Sequence, residues 1–281
     1  MTNRDLFGSK GLILNEDLIF ERSDHCTQGI KLPKPKSVES KIPESMKRTS
    51  IGLPEVSEVD VVRHYTRLST WNYGVDSGFY PLGSCTMKYN PKINEEMCSL
   101  AGFANLNPYQ PIETKQGALE ALYMLQEMLG ELTGLPGVTV VPSAGAHGEY
   151  TGIKIMKAFH ESKGENRKKM LIPDTAHGTN PATCTLNGFD VVKIPITQEG
   201  ILSLEDVEKH MDSNTVGLMI TNPNTLGLFE KNLPQIADMI HARGGLVYCD
   251  GANFNALMGY CKPSTMGVDC LLYTSPGSFK V

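Results

Sequence analysis

The sequence has no apolar run long enough to cross a bilayer. Its longest runs, such as Val138–Val141 and Val216–Ile220, are strand-sized, and a span needs roughly 18 or more consecutive apolar residues. No Gly-x-Gly-x-x-Gly string and no Gly-x4-Gly-Lys-[Ser/Thr] string occurs, so the common nucleotide fingerprints are missing. The seven cysteines (26, 85, 98, 184, 249, 261 and 270) are odd in number and form no Cys-x-x-Cys pair. That argues against a disulfide framework or structural zinc and suits a reducing cytoplasm. By default they are buried free thiols, Cys85 and Cys98 included. A basic excess is also lacking: 26 Lys plus Arg against 31 Asp plus Glu leave a net charge of −5, so no nucleic acid and no membrane is expected as a partner. The first 22 residues hold neither a secretory apolar core nor an Arg-rich, acid-poor transit pattern. His147, His177 and Asp250 do not share a recognised metal-ligand spacing, so no metal site is expected.

The composition is that of an ordinary globular protein, and 281 residues make one large domain or two modest ones. Up to residue 56, Pro33, Pro35, Pro43 and Pro54 forbid a continuous helix and predict an extended arm lying over another surface. Ser57, with Asp60 three residues on, reads as the cap of a short helix whose apolar face is Val61, Val62, Tyr65 and Leu68. The stretch 72–112, rich in Gly, Asn, Pro and Tyr, reads as a long irregular binding loop. An amphipathic helix is expected over 114–131 through Leu119, Leu122, Leu125 and Leu129, closed by Gly130 or Gly134.

From residue 138 short apolar runs alternate with helical patterns. Strands are expected at 138–141, 170–172, 189–196, 216–221 and 246–250, with helices at 146–162, 204–211 and 233–243 and a short one within 174–187. This predicts an α/β fold, a mostly parallel sheet flanked by helices. The expected division is 1–112 as arm, short helix and binding loop, 113–269 as a cofactor-binding α/β domain, and 270–281 as an aberrant tail.

Ligands of such sheets collect where strands end and helices begin, and four polar clusters fall there. Ser143-Ala144-Gly145-Ala146 opens a helix with small residues that leave main-chain N–H groups accessible, either as a phosphate cradle or as close strand-to-helix packing. His147 in the first helical turn suits a neutral ring against another flat ring, or a hydrogen bond to a loop carbonyl. Asp250 ends an apolar strand, so its carboxylate needs a cation such as a pyridinium nitrogen, or else caps the following main chain. His177, Thr179, Asn180 and Thr221 offer groups for a phenolic oxygen and a substrate carboxylate, or are turn residues. Together these four clusters fit the parts of pyridoxal phosphate.

Six strings carry a resemblance as well: Gly83-Ser-Cys-Thr-Met-Lys-Tyr-Asn-Pro91, Asn107-Pro-Tyr-Gln-Pro111, Ser143-Ala-Gly-Ala-His-Gly-Glu-Tyr150, Asp174-Thr-Ala-His-Gly-Thr-Asn-Pro-Ala182, Thr221-Asn-Pro-Asn-Thr-Leu-Gly-Leu-Phe-Glu230 and Asp250-Gly-Ala-Asn-Phe-Asn-Ala-Leu-Met-Gly259. In this order they resemble the glycine cleavage system P protein, most narrowly its bacterial subunit-2 branch. The resemblance implies the large domain of a fold-type I pyridoxal-phosphate enzyme. It also implies decarboxylation of glycine, with transfer of the aminomethyl group to the lipoyl arm of H protein. Assembly with glycine dehydrogenase subunit 1 as an α2β2 heterotetramer in the cytoplasm is implied too. By motif, His147 would stack on the cofactor ring, Asp250 would pair with its nitrogen, and Ser143 to Ala146 would lie near the phosphate. His177, Thr179 and Asn180 would surround the phenolic oxygen and the substrate, with Ala252 beneath the ring.

After Asp269 the pattern departs from the family. The family's Schiff-base lysine falls at Gly277, and Lys280 is three positions late. The expectation is a chain cut before that lysine and before a small carboxyl-terminal domain. A noncatalytic assembly subunit and another fold-type I enzyme are the alternatives.

Overall fold

In the computed structural model the described residues are 15–23, 27, 29, 30, 33, 34, 36, 40–82 and 85–273. Expectations that rest on Cys26, Lys31, Leu32, Pro35, Gly83, Ser84, Gly277 or Lys280 lie outside them. The chain divides between Phe79 and Tyr80 into two compact units.

Among the described residues of the first unit there is one α-helix, α1 (Glu58–Ser69). It starts where Ser57 accepts the Asp60 main-chain N–H at 3.1 Å, as the capping pattern predicts. The expected apolar face is only partly covered, with Val61 and Leu68 half-buried. Val62 and Tyr65 are 57% and 55% exposed, while His64 is buried. The face is turned by Glu16, whose carboxylate accepts from Arg67 and from His64 Nδ1 at 2.8 Å and pairs with Arg22 at 3.2 Å. The Arg67 hydrogen bond above all holds the Glu16 pKa down at about 2. A polar anchor has thus set the orientation of a helix whose hydrophobic stripe was too narrow to do so.

In the second unit, residues 80–115 are less irregular than expected. They include helices α2 (Ile93–Cys98) and α3 (Ala101–Ala104) and a 3-10 turn at Ile112–Lys115. Each is too short to leave a periodic trace in sequence. Helix α4 (Gln116–Thr133) ends at Gly134, which takes a left-handed φ of 73° and donates to the Gly130 carbonyl at 2.8 Å. A Cβ there would also lie 2.0 Å from Ser264 Oγ, so both conformation and space demand glycine.

The α/β core follows as α5 (Gly145–Ser162), β1 (Lys169–Pro173), α6 (Thr179–Leu186), β2 (Asp190–Ile194), α7 (Leu204–His210), β3 (Thr215–Thr221), α8 (Leu233–Ala242), β4 (Leu246–Gly251) and β5 (Cys270–Tyr273). The five strands are all parallel, in the order β2-β1-β3-β4-β5. The expected strand Val138–Val141 does not form. Its Val138 carbonyl accepts from the Gln126 side chain at 2.6 Å, and Val141 is 78% exposed, so neither a ladder nor burial holds it as a strand. The residues that start β5 had been assigned to an aberrant tail. Cys270 to Tyr273 instead pair in register with β4.

Side chains alternate between two apolar layers. On one face Met170, Ile172, Tyr248 and Leu272 pack with Ile153 and Met156 of α5 and Cys184 of α6. On the other, Leu171, Val247 and Cys249 pack with Val207 of α7 and Leu233, Ile236 and Ile240 of α8. Within β3 the alternation slips once: Val216 and Met219 share the α5/α6 face although three residues apart. The register shifts there, with Lys169 opposite Thr215 but Met170 opposite Gly217, so a bulge at Val216 restores the phase.

The six described cysteines are free. Burial pushes the Cys184 and Cys249 thiols up to about 12 and Cys270 to about 11, which makes them inert. Cys98 is exposed and Cys85 half-buried, contrary to the default reading of both as core thiols: each lies outside the sheet, in the stretch before α4. No helix of the described residues is long and apolar enough to cross a membrane.

Candidate functional site

The strand order reverses between β1 and β3, since β1 leads to β2 on one side and the chain returns to place β3 on the other. In open α/β sheets the crevice beyond the carboxyl ends at such a reversal is where ligands bind. The carboxyl ends of β1, β3 and β4 lead to His177 and the first turn of α6 with Thr179 and Asn180, to Thr221, and to Asp250. They are tied to one another. Thr225 Oγ1 donates to the Thr175 carbonyl at 2.6 Å, and Asn253 Nδ2 to the Pro223 carbonyl at 2.9 Å.

Asp250 stands two residues after Tyr248 and therefore on the α5/α6 face of β4. It is 2% exposed. One carboxylate oxygen, Oδ1, accepts the Ala252 main-chain N–H at 3.0 Å, so the capping reading accounts for part of its satisfaction. Burial raises its pKa, opposed by that bond, by the Asn180 side chain and by the charges of His177 and Lys88. Asn180 is fully buried in the first turn of α6, its side chain close enough to Asp250 to pull the acid's pKa down, yet neither of its amide atoms closes a hydrogen bond of good geometry. Thr221 Oγ1, at the end of β3, is likewise buried and unpartnered. Orphaned buried polar atoms are costly, and here they gather around a buried acid.

Helix α5 brings the remaining groups close to β4 and β5 through two glycines. A Cβ at Gly152 would lie 2.4 Å from the Tyr248 ring, and one at Gly148 would lie 2.6 Å from Leu272 Cδ1. Ala144 precedes the helix in extended conformation, and no side chain caps the first-turn N–H groups. Ser143 does not cap them either, because its hydroxyl bonds His147 Nδ1 at 2.8 Å. Ser143, Ala144, Ala146 and His147 are exposed and Gly145 is half-buried, so this end of α5 is open to a ligand.

Three residues that the sequence did not single out belong to the same place. Glu149, 3% exposed, accepts from Thr179 Oγ1 at 2.7 Å and Thr183 Oγ1 at 3.3 Å. Thr179 Oγ1 in turn meets His177 Nδ1 at 2.6 Å. Burial raises the Glu149 pKa, partly offset by Thr179, and the nearby Asp250 charge raises it further. The sequence signal was present: Glu149 lies on the helical face of Gly152, Ile153 and Met156. Lys88 donates to the Ala252 carbonyl at 2.6 Å, and Thr86 to the same carbonyl at 3.1 Å. Burial lowers the Lys88 pKa, against the pull of Cys85 and Asp250. Its only signal was membership of a polar loop. Among the described residues no group of three or more His, Cys, Asp or Glu is arranged to hold a metal ion.

The parallel sheet and its flanking helices have the architecture of the large domain of fold-type I pyridoxal-phosphate enzymes. A crystal structure of glycine decarboxylase (P-protein) of the glycine cleavage system, in inhibitor-bound form, has this fold. It aligns with a TM-score of 0.63 at 23% identity over 82% of this chain and 51% of that one. The family model for the glycine cleavage system P-protein matches residues 26–276, and the chain belongs to that family. A "probable glycine dehydrogenase (decarboxylating) subunit 2" of Alkaliphilus oremlandii is 53% identical over 268 residues, 93% of this chain and 55% of the relative. One of Pyrococcus abyssi with the same description is 53% identical over 258 residues, 91% and 51% respectively. The chain thus spans about half the length of these curated relatives.

Proposed function

We propose that this chain carries the cofactor-binding region of a glycine dehydrogenase (decarboxylating) subunit 2. In that role it binds pyridoxal phosphate and takes part in decarboxylating glycine, with transfer of the aminomethyl group to the lipoyl arm of H protein. It works with glycine dehydrogenase subunit 1 in a cytoplasmic heterotetramer. The observation that carries the reading is the buried Asp250 beside the unpartnered amide of Asn180. A carboxylate in that position is stabilised by a protonated ring nitrogen, and an idle buried amide by a ligand's polar substituents.

The residues present fit the group. Asp250 would hold the proton on the pyridine nitrogen. Ser143, Ala144, Gly145 and Ala146, at the uncapped start of α5, would face the phosphate. His147 would stack on the ring and Ala252 would pack beneath it. His177, Thr179, Asn180 and Thr221 would hold the phenolic oxygen and the substrate carboxylate. When bound, pyridoxal phosphate supplies an electron sink for the pair left behind by departing carbon dioxide. The protein's part is to keep that ring protonated, orient the amino acid and exclude water from the α-carbon.

Difference absorbance on titration with pyridoxal phosphate tests this reading. The wild-type chain should bind saturably, and Asp250→Ala should lose at least tenfold in affinity. Equal binding by both would refute the assignment. Glycine–bicarbonate exchange with subunit 1 and H protein, set beside transamination of the same preparation, tests the reaction class.

A further inference from the structure

We infer that Glu149 is a positioning residue: through Thr179 it fixes the proton of His177 on Nδ1 and leaves Nε2 as the lone-pair nitrogen of the site. The inference rests on the proposed function only for what Nε2 then meets.

The geometry is a chain of three groups, His177 Nδ1 to Thr179 Oγ1 at 2.6 Å and Thr179 Oγ1 to Glu149 Oε1 at 2.7 Å. A threonine hydroxyl has one proton to give and two lone pairs with which to accept. Above its raised pKa Glu149 is a carboxylate with only lone pairs, so there the Thr179 proton goes to Glu149. The Thr179 oxygen can then only accept from the imidazole, and Nδ1 must be the N–H. The second oxygen of Glu149, Oε2, accepts from Thr183 Oγ1 at 3.3 Å. Both threonines are on α6, Glu149 is on α5, and His177 is in the turn before α6. The relay is therefore fixed by two packed helices. The His177 imidazole has no other hydrogen bond among the described residues, its main-chain carbonyl accepting the Asn180 N–H at 3.0 Å.

The charged groups facing this relay are Asp250 from β4, whose charge acts on both Glu149 and the imidazole, and Lys88 from the loop before α2, whose charge acts on Asp250. With Nδ1 already a donor, Nε2 is the atom that takes a proton from the ammonium group of a bound amino acid. The amine becomes neutral and the ring becomes imidazolium, with Glu149 behind it through Thr179 and Asp250 nearby. An imidazole in the opposite tautomer would present N–H to the same ammonium group and repel it.

The test is long-range proton–nitrogen NMR on the full chain labelled with 15N-histidine, in alkaline buffer and without cofactor, with His177→Gln used to assign the signal. In the wild-type chain His177 should show a protonated Nδ1 and an unprotonated Nε2, and Thr179→Ser should keep that pattern. Thr179→Val, which keeps shape and removes the hydroxyl, should exchange the two nitrogen shifts, because an unconstrained imidazole prefers its proton on Nε2. A wild-type chain with the proton on Nε2, or a Thr179→Val chain with an unchanged pattern, overturns the inference. The wild-type spectrum decides it even if the variant fails to fold. A chain with the Nδ1–H pattern that takes up no pyridoxal phosphate supports the relay and overturns the cofactor reading.

Discussion

Glu230, in the loop after β3, and Asp250, near the end of β4, are both buried carboxyls at the carboxyl end of the same sheet, and their surroundings differ in kind. Glu230, fully buried, accepts from the Leu202 main-chain N–H at 3.0 Å and from Asn224 Nδ2 at 2.9 Å, and its own N–H donates to Asn222 Oδ1 at 3.1 Å. Asn224 continues the mesh by donating to the Gly200 carbonyl at 2.8 Å. Asp250 has one main-chain donor, a raised pKa and an idle amide next to it. A buried acid that closes its own hydrogen-bond network locks loops together. One left incomplete by its own chain is shaped for something that comes from outside.

The largest separation between the two should appear on substitution. Glu230→Ala orphans the Leu202 N–H and one donor bond of Asn224, and should cost roughly 2–4 kcal/mol of stability by urea unfolding, with little change in the affinity of the folded chain for pyridoxal phosphate. Asp250→Asn should do the reverse, removing cofactor affinity at neutral or even improved stability. Both variants losing stability alike would erase the distinction.

A smaller effect is expected from pH. Because the Asp250 and Glu149 pKa values are raised on folding, the unfolded chain ionises first as pH rises. Stability should therefore fall from the ordinary carboxylate values upward until the raised values are passed, and Asp250→Asn should flatten part of that slope. Glu16 in the first unit has the opposite sign. Its contribution is complete above the ordinary value of 4.5 and is lost as pH falls toward about 2, which Glu16→Gln should abolish in an acid titration followed by circular dichroism. The smallest expected change is steric: Gly152→Ala pushes α5 off the Tyr248 ring and should cost about 1–3 kcal/mol in thermal melts.

What could be read from sequence followed how local each signal was. β1, β3, β4, α5 and α8 are long apolar or periodic segments, and their positions emerged within a residue or two because burial on one or both faces writes itself into the pattern. Val138–Val141 has the same strand-like composition and forms no strand, since pairing depends on a neighbour that a single segment cannot specify. The bulge at Val216 was invisible for a similar reason: it is a mismatch between two strands. At the candidate site, residues at strand ends could be named from sequence because topology makes those places predictable. Lys88 and Thr86 were missed because they reach the Ala252 carbonyl across more than 160 positions of chain. Glu149 was missed because a lone acid within a helix reads by default as a solvated residue, and only the threonines of α6 reveal its use.

The most direct test is the protonation of the bound coenzyme. Pyridoxal phosphate labelled with 15N in its ring, added to the wild-type chain at a pH where the free ring is neutral, should give the nitrogen shift of a pyridinium. With Asp250→Asn that signal should be absent, through lost binding or a neutral ring. A wild-type complex with an unprotonated nitrogen, or a pyridinium that persists in the Asp250→Asn chain, would contradict the account.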